Sequence, residues 1–510
     1  MVNQTRTRLT DWHLAGLLDE AAANYATRPF LLDGRQTLTY QEAITQVNGV
    51  AHWLRQNGVR RGDRVLIVTM NRIEAILIAF AVARLGGIFT ILNNQVKPAG
   101  LRQVLNQLDP VLMVLDRSTA SLTAEISHAA LVWVGEQRPA TAIPFDDLAR
   151  FPAAAPRDFP GIDLDPACVL FTSGSTGQPR GVVISHDNFR FAAQAIQERL
   201  AYRPDDIVGL FLPLSFDYGL YQVFLAALAG AAVFVADAQL AGIELLATLQ
   251  QYDISVLPGV PSLFAGMLKL LQRHPRALPC LRSVTNTGAH LPATTIEGLQ
   301  RLFPQLQIFA MYGLTECKRV AILPATELNT RPGSVGRPLP GTEVTIIDEQ
   351  QRPVMPRTVG QLVVRGRHVT LGYWQAEQET QHRFRRRADG TRELYTGDLC
   401  WLDEEGYLYF VGRNDEQLKH KGYRLHPLDV ETVACRVSGV MEAGLALAEP
   451  DDKLVLFVTL SDPAITARDI LLALEEELET YKVPDSVRIL PRMPKTPNGK
   501  LDRKGLRNLL

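Results

Sequence analysis

The chain predicts an α/β fold, with largely parallel sheets covered by helices on both faces. Short β-branched runs alternate with helical patterns through about the first 300 residues, as in RVLIVTM at 64–70 and IEAILIAFAVARLG at 73–86. Such alternation is typical of parallel strands joined by helices. At 510 residues the chain is too long for a single hydrophobic core, which predicts two or more domains.

The pattern changes after about residue 330. The runs TEVTIID, GQLVVRG and GYLYFVGR are short and separated by Pro and Gly, which predicts a small antiparallel β subdomain over about 330–412. The last 85 or so residues combine the strand-like LVLFVTL and SVRILP with the amphipathic ITARDILLALEEELETY. They predict a small, separate C-terminal α/β unit.

Composition is ordinary for a globular enzyme, with 46% hydrophobic and 21% charged residues. The formal net charge of −1 does not indicate a nucleic acid or a membrane surface as partner. The cysteines are scattered, odd in number and without CxxC spacing, which predicts reduced thiols and a cytoplasmic protein. They are Cys168, Cys280, Cys317, Cys400 and Cys435.

No membrane segment is expected either. The N-terminal MVNQTRTRLTDWHLAGLL lacks the long apolar core of a signal peptide. The most apolar early stretch, 75–92, is interrupted by Arg84, Gly86 and Gly87. It therefore predicts a buried helix–turn–strand better than a membrane span.

The most informative segment is VLFTSGSTGQPRGVVISH at 169–186, where an apolar run enters a loop of small and hydroxylated residues. Nearly bare backbone N–H groups, hydroxyl donors and one arginine can converge on an anion, which predicts a nucleotide phosphate site. The GxxxxGK[ST] spacing of P-loop NTPases is absent. A flexible surface linker is the alternative, but VLF and VVI on either side predict two buried strands joined by a tight turn. The candidate phosphate-binding residues are Thr172, Ser173, Gly174, Ser175, Thr176, Gly177 and Arg180.

Further blocks follow in order. They are MYGLTE at 311–316, GQLVVRGRHVTLGYW at 360–374, ELYTGDL at 393–399 (expected to end a strand on Gly397 and Asp398), GRNDEQLKHKGYRL at 412–425 and PKTPNGKLDR at 494–503. From about residue 30 to the C-terminus, the chain resembles the adenylate-forming superfamily: acyl-CoA synthetases, adenylation domains of nonribosomal peptide synthetases and firefly luciferase. That resemblance implies a stand-alone enzyme that activates a carboxylic acid with ATP and Mg²⁺.

The same resemblance implies the domain organisation. A large N-terminal domain of two helix-covered sheets with the β subdomain would span 1–412, and a small mobile C-terminal α/β domain would span 413–510. The hinge would lie at Asp415, and rotation would exchange Lys500 for the thiolation face around Lys421 and Gly422.

Site roles also follow from the resemblance. Tyr312 would stack on adenine, Thr315 would contact the α-phosphate, and Glu316 would ligate Mg²⁺. Asp398 would hold the ribose hydroxyls with help from Arg413, while Lys500 would bridge the substrate carboxylate and the α-phosphate. Further nucleotide contacts would come from Gly288, Ala289 and His290.

Each of these residues has an ordinary structural alternative, such as a core aromatic, a solvated carboxylate, a turn cap or a surface charge. Their joint order favours the catalytic interpretation. One departure concerns Arg180, because the family loop usually reads PKG where this chain has PRG. Charge is retained there but geometry differs.

The acid pocket is expected around LPLSFDYGLYQ at 212–222, a hybrid of the adenylation-domain and acyl-CoA-ligase blocks. Asp217 lies in an apolar stretch and needs a partner. The candidates are the ammonium of an amino-acid substrate, Lys318, Arg319 or a structural hydrogen bond. Arg319 is unusual for such a pocket and either points away from it or contacts a polar group of the substrate. By resemblance the pocket residues are Phe216, Asp217, Tyr218, Tyr221, Val256, Thr285, Thr287, Met311, Arg319 and Val320. The methionine and tyrosines favour a small or mid-sized acid.

The acyl acceptor has two candidates. The block after residue 412 is more like that of adenylation domains, which favours the phosphopantetheine thiol of a carrier protein. Because no carrier domain follows Lys500, the carrier is expected to be a separate chain. Coenzyme A is the alternative, as in an acyl- or aryl-CoA synthetase. A non-catalytic adenylate-binding relative is disfavoured by the intact site residues, and nothing in the sequence requires the oxygen chemistry of a luciferase.

Overall fold

The computed structural model describes residues 12–126, 129–151, 161–173, 179–420, 423–448, 453–496 and 498–510. The predicted phosphate-loop residues Gly174, Ser175, Thr176 and Gly177 and the predicted thiolation-face residues Lys421 and Gly422 lie outside them. The α-helices are α1 (Gly16–Tyr25), α2 (Tyr40–Gln56), α3 (Ile73–Arg84), α4 (Pro98–Leu108), α5 (Phe145–Ala149), α6 (His186–Leu200), α7 (Asp217–Ala229), α8 (Leu245–Gln251), α9 (Pro261–Arg273), α10 (Ala293–Leu302), α11 (Glu377–Arg383), α12 (Pro427–Ala434), α13 (Ala467–Glu477) and α14 (Arg503–Arg507).

The strands alternate with these helices over the first 300 residues and crowd together after them. They are β1 (Pro29–Leu32), β2 (Thr37–Thr39), β3 (Arg64–Thr69), β4 (Ile88–Asn93), β5 (Leu112–Asp116), β6 (Ala130–Val134), β7 (Ile143–Pro144), β8 (Pro166–Ser173), β9 (Pro179–Ser185), β10 (Ile207–Leu210), β11 (Ala232–Val235), β12 (Val256–Gly259), β13 (Ser283–Asn286), β14 (Gln307–Tyr312), β15 (Ala321–Ile322), β16 (Arg337–Pro338), β17 (Thr342–Ile347), β18 (Gly360–Gly366), β19 (Gly372–Tyr373), β20 (Phe384–Arg386), β21 (Arg392–Leu402), β22 (Leu408–Arg413), β23 (Leu418–His420), β24 (Tyr423–Leu425), β25 (Val440–Ala448), β26 (Lys453–Leu460) and β27 (Ser486–Ile489).

Two large sheets form the main body, as the sequence predicted. One has the order β16-β15-β14-β13-β12-β10-β11-β1-β2 and the other β19-β9-β8-β4-β3-β5-β6-β7. Their central strands run parallel. Antiparallel strands close both edges of the first sheet and the β19 edge of the second, whereas β7 at the other edge pairs parallel with β6. The mostly parallel interior follows from strand–helix–strand connections, which return the chain to the same end of a sheet.

A shared helical layer lies between the two sheets. Along β3, Val65 and Ile67 join the largest core cluster, while Leu66 and Val68 join a second cluster with α4, because alternate strand residues face opposite sides. Every residue of α3 from Ile73 to Arg84 except Glu74 is buried, so that helix is covered on all sides. The apolar stretch 75–92 is therefore α3, a turn and β4, as predicted. Within the part of the chain that the structure describes, no helix is long and apolar enough to cross a membrane.

The β subdomain is an antiparallel sheet of β17, β18, β21 and β20, with β22 added beside β21. Two short strands of the same segment, β16 and β19, instead pair with the two large sheets. One expectation was wrong: β21 does not end at Gly397 and Asp398 but continues to Leu402. It continues because β18 and β22 supply hydrogen-bonding partners on both sides past the glycine, which takes a φ of 73°.

The C-terminal segment has its own core. It contains the hairpin β23-β24 and the sheet β25-β26-β27, against which α12 and α13 pack through residues such as Val430 and Ile470. Helix α13 begins with a capping box, in which Thr466 and Asp469 satisfy each other's backbone N–H groups. The domain boundary at 412/413 remains a prediction.

Candidate active site

The predicted phosphate loop joins two antiparallel strands, β8 and β9, as expected from its apolar flanks. Thr172 and Arg180 lie opposite each other across the pair, and the Thr172 hydroxyl donates to the Arg180 carbonyl oxygen at 3.4 Å. The Arg180 guanidinium carbon lies 5.8 Å from the ring centroid of Tyr373. The base of the loop thus lies beside β19.

The residues predicted to bind adenosine meet at the edge of the β subdomain. Asp398 on β21 faces Arg413 on β22 across the strand pair, and the Tyr312 hydroxyl at the end of β14 donates to Asp398 Oδ2 at 2.5 Å. The Tyr312 ring stacks on Phe410 with centroids 5.6 Å apart. Strand β14 and the β21-β22 pair, which are distant in the sequence, therefore form one polar cluster beside an aromatic face.

Asp398 is electrostatically unusual. Burial raises the pKa of its carboxyl to about 6, although Arg413 and the Tyr312 hydrogen bond favour the ionised form. Its Oδ1 accepts no hydrogen bond within the described residues, and Arg413 Nε lies 3.7 Å away from it. A buried carboxylate oxygen without a donor can accept a ligand hydroxyl.

Glu316 and Thr315 lie in the half-buried turn after β14. Tyr373 donates its hydroxyl to Glu316 Oε1 at 2.8 Å, and Arg383 Nη1 lies 3.3 Å from the same oxygen. Sequence reasoning missed both partners as site residues. Tyr373 was visible within the 360–374 block, whereas Arg383 ends α11 in a segment without a recognised motif.

The turn after β14 depends on Gly313. A Cβ there would lie 1.8 Å from the Lys318 carbonyl oxygen, so no other residue fits without a backbone shift. Lys318 itself takes a φ of 60°, which is uncommon for a residue with a side chain. The tight turn directs Glu316, Lys318 and Arg319 into the interior of the molecule.

Lys500 enters the site from the C-terminal segment. It follows a tight turn in which Thr496 N donates to the Lys500 carbonyl oxygen at 2.8 Å. Its Nζ lies 5.4 Å from the ring centroid of Phe216, and its Cε would be 3.0 Å from a Cβ on Gly288, whose φ is 88°. The Ser262 hydroxyl donates to the adjacent Gly499 carbonyl oxygen at 3.2 Å.

Burial lowers the pKa of Lys500, with Asp217 the leading charge that opposes the shift. Asp398 and Glu316 also act on this ammonium. The Lys500 ammonium therefore interacts electrostatically with carboxylates on both the acid side and the nucleotide side of the predicted site.

The predicted acid pocket is assembled around Tyr218. Its hydroxyl contacts Thr285 through the carbonyl oxygen at 2.6 Å and the side-chain oxygen at 2.5 Å. Arg319 Nη1 donates to the Thr287 hydroxyl at 2.9 Å, and its guanidinium carbon lies 5.1 Å from the Tyr218 ring centroid. Arg319 thus contacts two other residues of the predicted pocket, and its contact with a polar group of the substrate stays a prediction. The remaining pocket side chains, Phe216, Tyr221, Val256, Met311 and Val320, are buried.

Asp217 begins α7 and has a protein partner. Lys318 Nζ lies 3.7 Å from Asp217 Oδ2, with exposed side-chain fractions of 2% for the lysine and 12% for the aspartate. The rings of Tyr221 and Phe189 surround the ammonium at 5.3 Å and 5.9 Å. Of the candidate partners for Asp217, the structure contains the lysine.

Three predicted residues lie further out. Ala289 and His290 are exposed beyond β13, where Asn286 Nδ2 donates to the Ala289 carbonyl oxygen at 3.0 Å. Asp415 lies in the short 3₁₀ turn Asn414–Glu416 and accepts from Arg413 Nε at 2.9 Å. The roles of these three residues stay predictions.

The chain is similar to known enzymes along nearly its whole length. The family model described as "AMP-binding enzyme" matches residues 18–374, and "AMP-binding enzyme C-terminal domain" matches 429–500. An L-proline--[L-prolyl-carrier protein] ligase of Streptomyces coelicolor is 30% identical, over 96% of this chain and 94% of that protein. The 4-coumarate--CoA ligase-like 4 of Oryza sativa subsp. japonica is 29% identical, over 92% and 87%.

Solved structures agree. The anthranilate CoA ligase AuaEII in complex with anthranoyl-AMP superposes with a TM-score of 0.89 over 99% of both chains, at 24% identity, which supports the fold. VinN with L-aspartate is 33% identical over 78% of this chain and 98% of that one, with a TM-score of 0.70. The predicted family and the predicted α/β architecture are confirmed. The chain therefore belongs to the ATP-dependent, adenylate-forming AMP-binding enzyme family and is an AMP-forming acid–thiol ligase.

Proposed function

We propose that this enzyme activates a small or mid-sized carboxylic acid as its acyl-adenylate and transfers the acyl group to the phosphopantetheine thiol of a separate carrier protein. The observation that carries the proposal is the position of Lys500, whose ammonium lies beside Phe216 and within electrostatic range of Asp217, Asp398 and Glu316. One buried charge thus acts on both the acid side and the nucleotide side.

On the nucleotide side, the adenine ring would lie against Tyr312. The ribose hydroxyls would donate to Asp398, whose Oδ1 has no donor among the described residues and whose charge Arg413 stabilises. The phosphates would extend toward Thr172, Arg180 and the loop between them. In this assignment a carboxylate oxygen that lacks a donor accepts the ribose hydroxyls, and an arginine binds the phosphates.

The first half-reaction joins the acid to AMP. A carboxylate oxygen of the acid attacks the α-phosphorus, the bond to the bridging oxygen breaks, and pyrophosphate leaves with the bonding electrons. Negative charge accumulates on the α-phosphate oxygens, where Lys500 and the Thr315 hydroxyl would stabilise it. A buried ammonium is effective there because little water screens it.

Mg²⁺ fits this site with Glu316 as its protein ligand. Within the described residues no three His, Cys, Asp or Glu side chains cluster as a protein-only metal site. A single carboxylate suits Mg²⁺, which usually takes its other ligands from water and phosphate. When bound, the ion would neutralise phosphate charge, while Tyr373 and Arg383 orient the Glu316 carboxylate.

The second half-reaction forms the thioester. The phosphopantetheine sulfur attacks the acyl carbon as its thiolate, the mixed anhydride breaks, and AMP leaves with the carboxyl oxygen. Rotation about Asp415 would first withdraw Lys500 and bring the segment at Lys421 and Gly422 to the site, as the family resemblance implies.

Two relatives bear on the acceptor. The prolyl-carrier protein ligase supports a carrier protein, because it matches this chain over nearly the full length of both. The 4-coumarate--CoA ligase-like relative supports coenzyme A as the second candidate. VinN with L-aspartate supports a small polar acid as substrate.

ATP–pyrophosphate exchange over a panel of amino acids, aryl acids and fatty acids tests the activation step. Exchange with small acids is expected, and its absence with every acid would overturn the proposal. The acceptor is then tested by mass spectrometry with a holo peptidyl carrier protein and with coenzyme A. More efficient formation of acyl-CoA than of acyl-carrier protein would overturn the carrier assignment.

A further inference from the structure

Two adjacent cations lie in the acid pocket with donors that no described residue satisfies. Lys318 Nζ and Arg319 Nε are buried and make no hydrogen bond to a described residue, and the Tyr221 hydroxyl is in the same situation. Arg319 is buried, with 7% of its surface exposed. Buried donors, charged ones above all, are costly without acceptors.

The charge balance of this cluster is positive. Asp217 is the described carboxylate within 4 Å of either cation, and it contacts Lys318 at 3.7 Å. Arg319 has no carboxylate that close within the described part of the chain; its contacts are the Thr287 hydroxyl and the Tyr218 ring. One carboxylate therefore faces two cations.

Burial lowers the pKa of both Lys318 and Arg319. Arginine nevertheless stays protonated in proteins. Arg319 therefore keeps its positive charge although it is buried away from water.

The backbone holds this arrangement in place. Lys318 takes a φ of 60°, and its carbonyl oxygen packs against the backbone of Gly313. Strained backbone of this kind concentrates at functional sites.

We propose that Arg319, assisted by Lys318, recognises a second carboxylate on the acid, at the end remote from the reacting carboxyl group. The substrate class is then a small dicarboxylic acid, with or without an amino group. This inference rests on the proposed function and deepens it. Arg319 acts as a specificity-determining residue, because its fork of donors matches a carboxylate.

The first test uses the unmodified enzyme and matched acids. ATP–pyrophosphate exchange is measured with succinate against butanoate, glutarate against pentanoate, adipate against hexanoate, and glutamate against norvaline. Each pair differs by a terminal carboxylate in place of a methyl group. We expect kcat/KM to be about 10- to 100-fold higher for the dicarboxylic acid of the preferred length, the range expected for a charge-assisted bond.

The second test uses variants of Arg319. In Arg319→Leu, kcat/KM for the dicarboxylic acid is expected to lie within about threefold of kcat/KM for its matched monocarboxylic acid. Arg319→Lys is expected to retain part of the preference for the dicarboxylic acid. Arg352→Leu is the control, since Arg352 is 72% exposed and pairs with Asp348. The ratio between two acids is insensitive to a general loss of folded enzyme.

The outcomes separate the two proposals. Exchange with monocarboxylic acids at equal or higher efficiency overturns the second-carboxylate inference and leaves the activation chemistry intact; ordered water would then be the partner of Arg319. No exchange with any acid overturns the proposed function and the inference with it. A ratio unchanged in Arg319→Leu would overturn the role of Arg319.

Discussion

The two sides of the active site differ in how their charges are balanced. On the nucleotide side, Arg413 lies between the carboxylates of Asp398 and Asp415, so two carboxylates share one cation, and Tyr312 adds a hydroxyl donor. On the acid side, the cluster of Asp217, Lys318 and Arg319 sets one carboxylate against two cations. A cluster rich in carboxylates suits a ligand that donates hydroxyl groups, such as ribose, whereas a cluster rich in cations favours an anionic group.

The largest expected effect tests whether Lys500 serves both sides. Lys500→Ala should lower the rate of adenylate formation by about 10²- to 10³-fold, because one preorganised donor to the transition-state charge is lost. Thioester formation from pre-made acyl-adenylate should be retained. Pyrophosphate release and single-turnover thioester formation measure the two steps separately.

Lys504→Ala is the matched control, an exposed lysine four residues further on. Equal loss in both half-reactions of Lys500→Ala would contradict the rotation scheme.

The nucleotide side is tested by Asp398→Ala. Removing an acceptor for the ribose hydroxyls should raise the KM for ATP by about 30- to 100-fold, since hydrogen bonds to a charged group contribute about 1.5–3 kcal/mol each. The KM for the acid should change far less. Asp389→Ala, at a 60% exposed carboxylate, serves as control, and a larger change in the KM of the acid would refute the assignment.

The acid side is tested by a double-mutant cycle on Asp217 and Lys318. Asp217→Ala leaves a buried ammonium without its carboxylate and should lower the free energy of unfolding by about 2 kcal/mol, the cost of a buried donor left without its partner. Adding Lys318→Met should restore most of that loss. Urea unfolding measures both effects.

The same Asp217 variant reports on the substrate. If Asp217 binds the ammonium of an amino acid, exchange with amino acids should fall many-fold more than exchange with acids lacking that group. Equal effects on both acids would make Asp217 a structural partner of Lys318.

The raised pKa of Asp398 predicts that the binding of ATP, but not that of the acid, depends on pH. When the pH falls below the Asp398 pKa of about 6, the carboxyl becomes protonated and loses its attraction to Arg413. ATP binding should therefore weaken about tenfold at pH 5. Asp398→Asn should abolish this step. A step of equal size in the variant would assign it to another group.

The sign for stability is opposite. The folded protein retains a proton on Asp398 that the unfolded chain releases, so this stabilisation is lost as pH rises from the ordinary carboxyl pKa through about 6. Asp398→Asn should therefore flatten the dependence of the melting temperature on pH across that window.

The smallest effect concerns Glu316. Tyr373→Phe removes the hydroxyl that donates to Glu316 Oε1 and should change the Mg²⁺ concentration for half-maximal rate by about two- to fivefold. Tyr395→Phe, whose ring contacts Arg385, is the control. An unchanged Mg²⁺ dependence would remove Tyr373 from the site.

Much of the nucleotide side could be predicted because its residues occur in short contiguous motifs. Tyr312 and Glu316 share one block, and Asp398 follows a recognisable strand and glycine. Arg383 escaped notice because it lies in α11, where no local pattern distinguishes it from a surface arginine. Its role became visible through its 3.3 Å contact with Glu316.

The sequence by itself determined the α/β class, the order of the elements and the adenylate-forming chemistry. Periodicity and motifs are local properties, and they encode those features directly. Only the tertiary structure decided which side chain pairs with Asp217, which residues Arg319 contacts and where Lys500 lies. The physical reason is that a buried charge is defined by its neighbours, and here those neighbours come from segments far apart in the chain.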